Sequence, residues 1–117
     1  MSFPSPATDY IESGLNLHDL IVKKPVATFF MRAKDDSMIG AGIHRDDILV
    51  IDRSITPIKD HIVVAILNGE FTLKRLGYDS KTPLLIAENK NYPPLRIKAE
   101  DDFQIFGVLT CNLHWHL

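Results

Sequence analysis

A single cysteine, Cys111, is the only thiol in this 117-residue chain, so no internal disulfide can form. That fits a reducing compartment, and the cytoplasm is the expected location. Long hydrophobic runs are missing as well: nothing approaches the ~20 apolar residues of a membrane span. The start, MSFPSPATDY, has no basic segment ahead of an apolar stretch and does not read as a signal peptide. There is no excess of positive charge. The formal net charge is −2, whereas direct duplex binding draws on a basic face that neutralises phosphates. We therefore expect no direct sequence-specific DNA binding and no membrane partner. Internal repeats and low-complexity tracts are absent too. What remains is an ordinary apolar fraction of 45% on a chain of one-domain length, enough for one modest core without cross-links.

The order of apolar and turn-forming residues divides the chain into an arm at 1–14 and a domain at 15–117. The arm holds Pro4 and Pro6 among small polar residues. Proline fixes φ and disfavours helix before it, so the arm reads as extended and flexible. Asn16 can cap a short helix in which Leu17, Leu20 and Ile21 form one apolar stripe. Lys23 and Lys24 suit the negative end of that helix, and Pro25 stops it. From there the pattern is that of strands: Ala27 to Arg32, Ile48 to Ile51, Leu84 to Ala87 and Phe103 to Leu113. The plainest element is a hairpin. His61 to Leu67 is apolar and β-branched, Asn68-Gly69 takes positive φ at both turn positions cheaply, and Glu70 to Leu76 returns. Strands outnumber helices without βαβ alternation, which predicts a mainly β, antiparallel domain with a short N-terminal helix.

Two residues on this frame can carry chemistry. Side chains alternate along a strand, so Phe71 and Leu73 share one face of the returning strand while Glu70, Thr72 and Lys74 share the other. Of Lys74 and Arg75 only the lysine can give up its proton. Taken alone, Lys74 reads equally as a solvated strand lysine. Ser37 sits in Lys34-Asp35-Asp36-Ser37-Met38-Ile39-Gly40-Ala41-Gly42, where small residues permit a tight turn. A nucleophilic serine needs such a turn, with backbone N–H groups free to meet an oxyanion; a plain polar turn has the same composition. A Ser–Lys pair is a known variant of triad logic. It requires a neutral amine, and apolar surroundings lower a lysine pKa from its reference value of ~10.4.

Other residues read more plainly. His114 and His116 flank Trp115 and would share a strand face, with Cys111 nearby, but a zinc site wants three or four ligands and the spacing shows no third set. No metal and no cofactor is therefore expected. His44 and His61 lie near the candidate site in sequence, and a Ser-His-Asp arrangement through His61 is conceivable. Asp35 and Asp36 read as turn formers. The apolar run Ile105 to Leu109 reads as core, with one face available to complete a dimer sheet.

Three segments carry a resemblance: Asp36-Ser37-Met38-Ile39, Asp47-Ile48-Leu49-Val50-Ile51-Asp52 and Gly69-Glu70-Phe71-Thr72-Leu73-Lys74. They resemble the LexA/UmuD family of self-cleaving domains, most closely its UmuD branch. Phe3-Pro4-Ser5-Pro6-Ala7, Asp9-Tyr10, Gly42-Ile43 and Phe106-Gly107-Val108 extend the likeness along nearly the whole chain. The resemblance implies a clip-like β fold with Ser37 as nucleophile, Lys74 as general base and the Met38 backbone N–H as an oxyanion donor. Three positions depart from the family pattern. Asp35 stands where glycine is usual, Arg45-Asp46-Asp47 replaces Asp-Gly-Asp, and Gly40 replaces an acidic residue.

The resemblance also implies a role. Processed members of the UmuD branch begin near a Phe-Pro-Ser-Pro stretch and dimerise. They join a Y-family, UmuC-like polymerase that copies past DNA lesions in the SOS response, and they engage the RecA filament. The chain is accordingly expected to be such a processed subunit with a latent Ser/Lys peptidase site. The rival expectations are an active self-cleaving protease domain and the dimerisation half of a LexA-like repressor.

Overall fold

The computed structural model describes residues 14–117. Most of the arm assigned to 1–14, with its Phe-Pro-Ser-Pro stretch, lies outside the described residues. Helix α1 spans Leu17–Ile21, and Asn16 Oδ1 caps it by accepting the Asp19 N–H at 3.2 Å. Leu17 and Leu20 of its apolar stripe are about half exposed, and Leu17 lies beside residues 112–117. Five residues are too few to hold a helix unaided, so the cap and the last-turn bond from Val22 N–H to His18 O carry it.

Seven strands follow: β1 Thr28–Arg32, β2 Ile48–Asp52, β3 Ile62–Leu67, β4 Glu70–Asp79, β5 Thr82–Ile86, β6 Leu95–Arg96 and β7 Phe103–Leu113. They form one antiparallel sheet in the order β1-β2-β7-β3-β4-β5-β6. The mainly β, antiparallel expectation holds. The hairpin turn is as expected, with Asn68 at φ 50 and Gly69 at φ 84. β4 runs three residues past Leu76 into a second turn through Ser80 (φ 57), and the short β6 had no apolar alternation to announce it.

β7 pairs with β2 on one side and β3 on the other, with a bulge against each. Within the 105–109 run, Ile105, Gly107 and Val108 pair with β3, and Val108 and Leu109 pair with β2, so the run lies inside the sheet. Gly107 is needed inside it. A Cβ there would stand 2.6 Å from Ile51 Cγ2 and 3.3 Å from the Asp52 carbonyl oxygen.

The main core gathers Ala33, Met38, Ile43, Leu49, Ile51 and Val64, with Leu73, Phe106 and Leu109 packed against it. A second cluster joins Val63, Leu76 and Val108. Met38, directly after Ser37, is 2% exposed. The serine turn is thus anchored in the core through its next residue.

Candidate functional site

The Ser37 turn begins where β1 ends. Ala33 exchanges backbone bonds with the loop before β2: its N–H donates to Asp47 O at 3.0 Å, and its carbonyl accepts Asp46 N–H at 2.9 Å. Asp46 has φ 72, a left-handed conformation at the position where the family pattern has glycine. Aspartate tolerates that region better than most side chains, which accounts for the Arg45-Asp46-Asp47 departure. Beyond Ser37 a 3-10 turn, Ile39–Ala41, closes on Gly42 at φ 81.

A second loop clamps the turn from outside. Asn89 Nδ2 donates to Asp36 O at 2.9 Å and Gly40 N–H to Glu88 O at 2.8 Å. A Cβ on residue 40 would lie 2.6 Å from that same Glu88 oxygen, so the acidic residue of the family pattern does not fit here. Glu88 in turn accepts from Arg75 Nε at 2.6 Å. The residue beside Lys74 therefore ties the strand of the lysine to the turn of the serine.

Ser37 and Lys74 meet. Lys74 Nζ donates to Ser37 Oγ at 3.0 Å, to Thr72 Oγ1 at 2.8 Å and to Leu73 O at 3.1 Å. Strand alternation put Thr72 and Lys74 on one face, and their side chains touch there. Ser37 is 1% exposed and opens onto a cavity of about 420 Å³ lined by Phe30, Met31, Leu49, Val64, Phe71 and Leu73 among others. Burial pushes the Lys74 amine below the usual lysine range, and the Asp35 carboxylate partly offsets the push.

Asp35 is the residue that sequence reasoning undervalued. Its Oδ1 accepts the Ser37 N–H at 2.9 Å, the turn-forming bond expected of it. Burial works against its charge, but bonds from Ser37 and the nearby Lys74 and Arg45 charges outweigh that and hold the carboxyl below its usual range. The Ser37 N–H is therefore not free to meet an oxyanion. Among the described residues, the Met38 N–H donates to no other group. The only signal in the sequence was the glycine-to-aspartate departure itself.

Replacing Asp35 by asparagine keeps a turn-forming oxygen and removes the charge. The Lys74 pKa should then fall further, because the charge favouring its protonated form is gone. The rising limb of any Lys74-dependent rate should move to lower pH, as read from a rate–pH profile. A profile that stays put or moves to higher pH would refute the coupling.

The histidines lie elsewhere. His61 Nδ1 accepts the Ile58 N–H at 3.2 Å and takes no part in the Ser37 pocket. His44 and His114 stack on each other against Asp47. Cys111 faces β2, and burial pushes its thiol up, away from thiolate reactivity.

The chain matches the Peptidase S24-like family over residues 1–110 and belongs to it, which makes its class that of the serine peptidases. It is 44% identical to Protein SamA of Salmonella typhimurium over 112 residues, covering 96% of this chain and 77% of that one. It is 43% identical to Protein MucA of the same organism over 115 residues, with 97% and 78% covered, and 42% identical to its Protein ImpA over 112 residues, with 96% and 76% covered. Among the described residues no helix is long and apolar enough to cross a membrane.

Proposed function

We propose that Ser37 and Lys74 form a nucleophile–base dyad, and that the chain is a UmuD-like subunit of an error-prone translesion polymerase in the SOS response. The observation that carries the dyad is the 3.0 Å contact between Nζ and Oγ at an apolar cavity. The bonding pattern around Nζ fits a base. A charged amine has three N–H groups and finds three acceptors here. On losing one proton, it keeps two N–H groups for Thr72 Oγ1 and Leu73 O. Its lone pair then points at Ser37.

The step that follows is acyl transfer. Neutral Lys74 takes the Ser37 proton as Oγ bonds to a backbone carbonyl carbon. The Met38 N–H stabilises the oxyanion. The C–N bond breaks, the amine leaves with the proton from Lys74, and water releases the acyl group by the same route. No metal enters the reaction.

The subunit role is supported by the identity of 42–44% to SamA, MucA and ImpA across nearly the whole chain, together with the UmuD-like Phe3 to Ala7 stretch. In this reading the protein is a cytoplasmic homodimer that engages a Y-family polymerase and the RecA filament. A host lacking its own UmuD-type protein and supplied with the matching polymerase tests it. Expression of this chain should restore damage-induced mutation, and sedimentation at micromolar concentration should give about twice 13.2 kDa. A folded, expressed chain that restores nothing would overturn the polymerase role, and a monomeric mass would overturn the dimer.

A further inference from the structure

Away from the Ser37 cavity, three residues that no part of the peptidase chemistry uses converge on one point. His44 and Asp47 belong to the loop before β2, and His114 follows the end of β7. The pairing of Ile48 with Leu113 brings the two segments together. His114 Nδ1 lies 2.6 Å from Asp47 Oδ1, and His44 Nδ1 lies 3.6 Å from Asp47 Oδ2. All three donor atoms fall within 4.8 Å of one another. The imidazole rings stack with centroids 3.9 Å apart.

We propose that His44, Asp47 and His114 bind one divalent transition-metal ion of the zinc class, with a fourth position open to solvent. Two observations point to a ligand here. His44 Nδ1 is buried and, among the described residues, has no hydrogen-bond partner. Buried polar nitrogens are nearly always satisfied, and this one faces a carboxylate it does not bond. Asp47, for its part, is 2% exposed and held rigidly: Oδ2 accepts from His44 N–H at 2.8 Å and from Asn112 Nδ2 at 3.0 Å. Such outer contacts orient a ligating carboxylate.

The dimensions agree. Ligand atoms around tetrahedral zinc stand ~3.3 Å apart, given metal–ligand bonds of about 2.0–2.2 Å. His114 Nδ1 stands 2.6 Å from Oδ1 and His44 Nδ1 3.6 Å from Oδ2, and no two of the three donor atoms are more than 4.8 Å apart, so the rings and carboxylate would shift by up to about 1.5 Å to close on one ion. Two imidazoles and a carboxylate suit zinc, and both histidines are partly exposed, which gives an entry path. The ion would pin the segment after β7 to the loop whose Asp46 and Asp47 bond Ala33. Its role is structural, and the site stands or falls independently of the dyad.

The test uses tag-free protein at neutral pH, dialysed against zinc and assayed for bound metal. The expected result is one zinc per chain for the wild type and for His116→Ala, with stoichiometric binding lost in His44→Ala and in His114→Ala. The thermal midpoint of the wild type should rise with zinc, since the ion binds only the folded chain. Cobalt(II) loaded into the wild type gives a reading that needs no variant: intense tetrahedral d–d bands are expected. No stoichiometric zinc in the wild type, weak octahedral cobalt bands, or zinc retained by either folded His44→Ala or His114→Ala would overturn the site. So would loss in His116→Ala, which would move the metal to the tail.

Discussion

Ser37→Ala should abolish cleavage of an arm-bearing precursor supplied in trans, and Lys74→Ala should do the same. The substrate for this measurement is a precursor whose own serine is alanine, so that every cut comes from the added chain. The wild-type rate will be slow, because a separate arm lacks the high effective concentration of a tethered one. Removing the nucleophile or its base should lower that rate by roughly 10³-fold or more, since the members of such a unit fail together.

The pH dependence follows from the Lys74 environment. Burial pushes its pKa down and Asp35 pushes back, with the net shift downward. The reactive form is the neutral amine, so the rate should rise with pH and level off above the folded-state pKa. That plateau should come at lower pH than for a solvated lysine. Both variants should keep their sheet, because Ser37 and Lys74 close no part of the apolar core. A Ser37→Ala chain that still cuts would remove the serine from the mechanism. A rate that falls as pH rises would remove Lys74 as base.

Ile51→Ala should be among the most destabilising single truncations. Ile51 is 0% exposed, sits at the β2 bulge against β7 and packs beside Met38, Ile43 and Leu49 beneath the serine turn. Cutting it back loses the transfer free energy of the removed carbons and leaves a void that strands on both sides keep from collapsing. The expected cost is about 2–5 kcal/mol. In a domain of this size that lowers the melting temperature by about 8 °C or more. Ile58→Ala is the control. Ile58 is 58% exposed, and its loss should change stability by less than about 0.5 kcal/mol. Equal effects at the two positions would mean that the core is not where the packing puts it. Denaturant melts of both variants decide the matter.

Local physics was sufficient for the elements. Asn68-Gly69 could take positive φ, the β-branched run before it could only pair, and Asn16 could cap; each was legible because the cause lies within a few residues. Period-2 alternation likewise determined that Thr72 and Lys74 share a face. The residue types and the resemblance also marked Ser37 and Lys74 as the two side chains with candidate chemistry. Contacts across long sequence separations were beyond that reach. Nothing local says that Ser37 and Lys74 stand 3.0 Å apart, because that distance depends on how β1, β3 and β4 order themselves in the sheet and on the Arg75–Glu88–Gly40 link. The same holds for Asp35, whose carboxylate reads as a turn former until the fold brings Lys74 beside it. The further ligand set missing around His114 was hidden for the same reason: its neighbours Asp47 and His44 are about seventy residues away along the chain. The sequence by itself determined strands, turns and candidate chemistry, since these depend on near neighbours. Only the tertiary structure decided which groups meet, because strand order and bulges, set by burial of the whole core, bring distant residues together.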